Sequence, residues 1–120
     1  MHAVALAVAI TAAAAIIVLG IRFILSPTRS TLDFGVASDN VRALTAIKGV
    51  RDITSGAVVL AVWAGAGSEA MGWALTFASL TAIGDAVIVS TNGGSLSKAL
   101  GMHGITAALL IAAGLVLALG

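Results

Sequence analysis

Four stretches of this sequence, at about residues 3–25, 40–64, 69–90 and 97–119, are apolar over the length a helix needs to cross a bilayer. A hydrocarbon core of about 30 Å takes roughly 20 helical residues, and each stretch supplies them. Of the 120 residues 60% are hydrophobic and 9% charged, where a soluble domain carries about 25% charged residues. So few charges cannot coat a surface in water, whereas lipid accepts helices that are apolar all round. The expected fold is all-α, an integral membrane bundle of four transmembrane helices with antiparallel neighbours in a single domain over residues 1–120.

Local punctuation marks the helix ends. Ser26-Pro27 stops the first helix, because proline lacks the amide and disfavours helix in the residue before it. Ser38, Asp39 or Asn40 can cap the second, and Gly65 and Gly67 can take left-handed geometry at its end. Ser68 can cap the third, with Glu69 in its positive first turn, and Thr91-Asn92-Gly93-Gly94 forms a turn before Ser95 or Ser97 caps the fourth. Only Met1-His2 precedes the first apolar run, with no Lys or Arg, so that run is expected to be a helix of the mature protein and not a cleaved signal. His2 itself reads as a solvated terminal residue. In the long first connection, Leu32-Asp33-Phe34-Gly35-Val36 is expected either as an interfacial turn with Phe34 at the headgroups or as a plain tether.

The basic residues orient the bundle. Arg22, Arg29, Arg42, Lys48, Arg51 and Lys98 all lie in or nearest to the first and third connections. The positive-inside rule then places loops 26–39 and 91–96 in the cytoplasm and both termini on the opposite side. Trp63 and Trp73 lie toward the outer helix ends, where aromatic belts anchor. Ala12 to Ala15, with Gly49, Gly56, Gly72, Gly84, Gly101, Gly104 and Gly114, let backbones approach closely, which predicts a compact bundle and not a wide pore. The same small-residue faces would serve a homo-oligomer.

Composition also removes whole classes of function. A net charge of +1 without a basic run leaves no nucleic-acid surface. The absence of cysteine excludes disulfides, thiolate metal sites and redox dithiols. No His-x-x-x-His or Glu-x-x-His spacing offers a metal site, no glycine-rich phosphate loop follows a strand, and no serine sits in a nucleophile elbow. No metal and no cofactor is expected; the expected partners are the lipid bilayer and a small lipophilic ligand.

What chemistry remains lies in one polar layer. Lys48, Arg51 and Asp52 fall early in helix two, Asp85 late in helix three and His103 early in helix four. At 1.5 Å per residue all five come within roughly 10–18 Å of the cytoplasmic face. Charges at such depth face the bundle interior and find partners, so Arg51 and Asp85 are expected to pair, with Asp52 one turn after Lys48. His103 is the group suited to proton exchange near neutrality, and Thr81 and Thr106 add hydroxyls on the stripes of Asp85 and His103. The candidate site is therefore Asp52, Asp85 and His103 for proton transfer, with Arg51, Lys48, Thr81 and Thr106 to hold a ligand. Lys48 can equally snorkel to the interface, as Arg22 and Arg42 are expected to do.

With these residues placed, the chain resembles a family of short four-helix membrane proteins known only as a domain of unknown function. The resemblance rests on Phe34-Gly35, on Lys48-Gly49-Val50-Arg51-Asp52, on Gly84-Asp85-Ala86 with Ile88-Val89, and on His103-Gly104 with Thr106-Ala107-Ala108. It covers nearly the whole chain and implies four membrane helices without implying a reaction. The chain differs from small multidrug transporters, which carry a membrane glutamate in the first helix; here that helix has no acid.

Three readings of function follow. The first is a membrane-embedded site for a small lipophilic molecule, with acid-base chemistry such as isomerisation, cyclisation or hydrolysis and no redox cofactor. The second is a non-catalytic assembly or accessory protein whose polar layer is structural glue. The third, a proton-coupled transporter, is disfavoured because one small bundle would have to oligomerise to offer a pathway.

Overall fold

Proline sets the first corner of the chain. In the computed structural model, which describes residues 1–120 apart from the side chain of Ala12, helix α1 spans His2–Leu25 and ends at Ser26. Pro27 then opens a second helix, α2 (Pro27–Phe34), at the position where a missing amide costs nothing. The chain is all-α, continuing through α3 (Val41–Thr91), α4 (Leu96–Lys98), a π-helical turn (Ala99–Gly104) and α5 (Ile105–Leu119). Among the described residues three helical stretches, His2–Leu25, Val41–Thr91 and Leu96–Leu119, are long and apolar enough to cross a membrane. The chain divides into two units, Met1–Gly49 and Val50–Gly120.

In the first unit, α2 folds onto the last turn of α1. The carbonyl of Arg22 accepts from the Ser26 amide at 2.8 Å and from the Ser30 hydroxyl at 3.1 Å, which satisfies an end carbonyl that helix geometry leaves free. Arg22 also pairs through its guanidinium with Asp33. Phe23 and Phe34 meet edge to face, with ring centroids 6.1 Å apart and planes at 75°. Of the segment expected as a turn or a tether, Leu32 to Phe34 form the end of α2 and Gly35 and Val36 its closure, and Phe34 packs on Phe23. Arg22, expected to snorkel to the interface, has a carboxylate partner on α2. Gly35 closes α2 at φ 112°, and the Val36 amide bonds the Thr31 carbonyl at 3.1 Å, the Schellman arrangement. Of the three candidate caps for the next helix, Asn40 serves: its Oδ1 accepts from the Ala43 amide at 3.1 Å.

The sequence predicts a turn over residues 65–68, and there the structure differs. Helix runs through α3 for 51 residues and is interrupted only at Gly67, with φ 86° and ψ −176°. That region of backbone space is open to glycine almost alone, so a single residue breaks the helix where a four-residue turn is expected. Gly65 keeps helical geometry.

The second unit is built on a seam of small residues. A Cβ on Gly72 would lie 2.5 Å from the Ala118 amide nitrogen and 2.5 Å from the Gly114 carbonyl oxygen. A Cβ on Gly114 would meet the Thr76 hydroxyl and come within 2.7 Å of the Gly72 carbonyl oxygen. Ser79, Ala82, Ala99 and Ala107 continue the buried line. Thr76 and Ser79 turn their hydroxyls back onto the carbonyls of Gly72 and Thr76, at 2.9 and 2.6 Å, and so meet the opposing helix without a stranded donor. Gly72 lies against Gly114 and Ala118, while Asp85 lies against His103, so residues 68–91 and Leu96–Leu119 run antiparallel. Their connection is again a Schellman closure: Gly93 takes φ 85°, and the Gly94 amide bonds the Val89 carbonyl at 2.8 Å. Ser95, one of the two candidate caps, then accepts from the Lys98 amide at 3.1 Å.

Candidate functional site

The small-residue seam sets the geometry of the polar residues on it. Asp85 follows Ala82 by three positions and His103 precedes Ala107 by four, so each side chain continues its helix's buried line. Nδ1 of His103 stands 3.9 Å from Oδ2 of Asp85, with the two side chains 26% and 31% exposed. That separation is ion-pair range and longer than a hydrogen bond.

The other expected members of the layer do not all gather there. The expected pair of Arg51 with Asp85 is not formed; among the described residues Arg51 makes no ion pair, and Asp85 faces His103. The reason is packing: residues 68–91 bury their small-residue line against the last helix, and that contact turns the carboxylate of Asp85 to His103. Arg51 and Asp52 are exposed on α3, where Asp52 has a polar partner of its own. Lys48, in the first unit, is exposed and also has a partner. Thr81 is exposed one turn before Asp85. Thr106 donates its hydroxyl to the Met102 carbonyl at 2.7 Å, which commits it to its own helix. Among the described residues no group of three or more His, Asp or Glu side chains could hold a metal ion.

One feature of the site had no signal in the hydrophobic pattern. His103 sits in the π-helical turn Ala99–Gly104, where the Ile105 amide bonds the Leu100 carbonyl five residues back. Such wide turns are rare and occur often at functional sites. Gly101 and Gly104 within the run were the only available hint, and they read equally well as packing residues.

Residues 13–117 match the family described as Domain of unknown function (DUF4267). The chain belongs to this family. Every residue of the DUF4267 candidate site, from Lys48 to Thr106, lies inside the matched span. No curated protein and no solved structure matches the chain.

The pair can be weighed directly. Asp85→Asn, His103→Ala and the double variant, unfolded thermally in detergent, should give a coupling of about 0.5–1 kcal/mol, as expected for a partly exposed pair. Arg51→Ala and Asp85→Asn should simply add.

Proposed function

We propose that this chain is a four-pass integral membrane protein whose Asp85–His103 pair transfers protons to and from a small lipophilic molecule reaching it from the bilayer. The observation that carries the reading is a histidine and a carboxylate 3.9 Å apart on two apolar helices, with the histidine in a π-helical turn. Acid and base within reach of one bound group are what isomerisation, cyclisation or hydrolysis requires, and neither partner calls for a redox cofactor. In the second unit the faces away from the seam carry Phe77, Leu80, Ile88, Leu109 and Val116, all exposed and suited to lipid.

Length supports the four passes. The 51 residues of α3 would measure about 76 Å if straight, more than twice a hydrocarbon core of about 30 Å. Broken at Gly67, the same residues supply two spans of ordinary length. Trp63 and Trp73, both exposed, flank that break, as residues of an aromatic belt at the membrane surface would. The break then lies at a surface and not at mid-membrane, unlike the discontinuous helices of transporters. On this topology Asp85 and His103 lie six residues before Thr91 and seven after Leu96, about 9–10 Å below the cytoplasmic turn. Cysteines placed at positions 2 and 94 of this cysteine-free chain should label with an impermeant reagent from opposite sides, position 94 from the cytoplasm. Labelling of position 94 from outside intact cells would reverse the topology.

The close-packed seam favours a second reading, in which Asp85 and His103 only lock two helices together. Extraction of the purified protein with organic solvent separates the two. Mass spectrometry should find a lipophilic molecule in the wild-type extract that falls tenfold or more in His103→Ala and Asp85→Asn protein of unchanged helicity, a loss of roughly 1.4 kcal/mol or more in binding. Identical extracts from all three would leave the pair as glue.

A further inference from the structure

We infer that the π-helical turn is a positioning device: it seats Ala99 in the helix seam and swings Leu100 out, and this substitution of a small residue for a large one sets the approach of His103 to Asp85. The inference stands on geometry and holds whether the pair moves protons or only joins the helices.

Gly114 and Ala107, both buried, are seven residues apart, and seven residues are close to two turns of α-helix. A straight helix would continue that line to residue 100, seven before Ala107, and would put a leucine in the seam. The structure does the reverse. Ala99 is 1% exposed and Leu100 is 59% exposed. The buried line has slipped by one position between Ala107 and Ala99, across the run where the Ile105 amide reaches back to Leu100. A π turn takes one residue more than an α turn, so the slip and the hydrogen-bond pattern are two independent signs of the same inserted residue.

The consequence falls on the site because His103 lies within the slipped turn, four residues from Ala99 and four from Ala107. At the other end of the seam Gly72 and Gly114 bring backbone onto backbone with no room for a methyl group. A leucine at the His103 end would wedge the helices open from the side of the connecting turn and draw the imidazole away from the carboxylate. Ala99 is therefore a positioning residue for the pair, and Leu100 has a side chain that the seam does not feel.

Thiol cross-linking tests this in the whole 120-residue chain, which has no cysteine of its own. The Asp85→Cys, His103→Cys double variant is joined by a short bifunctional thiosulfonate, and yield is read as protection from a maleimide mass tag. The parent pair should cross-link efficiently. Adding Leu100→Trp should leave the yield unchanged, adding Ala99→Gly should also leave it unchanged, and adding Ala99→Leu should lower it about fivefold or more. Leu100→Trp decides the matter even where Ala99→Leu protein does not fold, since a straight helix would put the indole inside the seam. A parent pair that does not cross-link, a loss of yield with Leu100→Trp, or full yield with Ala99→Leu overturns the inference.

Discussion

Replacing Gly114 with leucine is expected to separate residues 68–91 from the last helix. Even the first carbon of a side chain there would collide with the Thr76 hydroxyl and lie 2.7 Å from the Gly72 carbonyl oxygen, and backbone cannot step aside as a flexible side chain can. Overpacking of a close contact costs about 1–3 kcal/mol in ordinary cores, and a whole leucine against backbone should reach or exceed the upper figure. Thermal unfolding in detergent, followed by circular dichroism at 222 nm, reads the effect. Gly84→Ala is the control: nothing lies within 4 Å of the added carbon, so its stability should stay the same or rise by up to about 1 kcal/mol as glycine entropy is removed. Equal behaviour of the two variants would mean that the seam does not hold the unit together.

His103→Ala is expected to slow the proposed proton transfer by about a hundredfold or more while the bundle stays folded, the usual effect of losing a positioned acid or base. The molecule recovered from the wild-type extract supplies its own assay: incubated with protein in heavy water, it should take up solvent deuterium at the carbon that loses and regains a proton. Asp85→Asn should be impaired in the same direction, since the imidazole loses the carboxylate that faces it at 3.9 Å. Unchanged uptake in His103→Ala would reassign the histidine to packing.

The main lines of the fold are legible in the sequence because they depend on local chemistry. Ser26-Pro27, Asn40, Gly93-Gly94 and Ser95 each act through groups within a few positions, and each ends or starts a helix as its residue type predicts. The nearness of Asp85 and His103 is legible for a different reason: two antiparallel helices joined by a short turn place residues equally far from that turn at one height. The misplaced features are those that depend on which face of a helix is turned to a neighbour. Depth and opposite charge match Arg51 to Asp85, but depth says nothing about rotation, and the Gly72–Gly114 contact decides the rotation of Asp85. The helix α2 is not legible in the sequence because eight residues with two basic or acidic groups show no clear period, and its contacts with Arg22 and Phe23 give it a reason to form. The π turn is not legible because a helical period presumes the regular winding that the turn interrupts.

The single-residue break at Gly67 bears on how such a chain is made. On the four-pass reading, the spans on either side of it are joined by one glycine and leave the ribosome with no loop between them. The first of the pair cannot settle across the bilayer and wait, because its far end has no slack with which to let the next span turn back. On that reading the two enter the lipid together. The translocation machinery would then have to hold residues 41–91 as a unit, and an epitope or protease site inserted at Gly67 would be expected to interfere with membrane integration before it could report on topology.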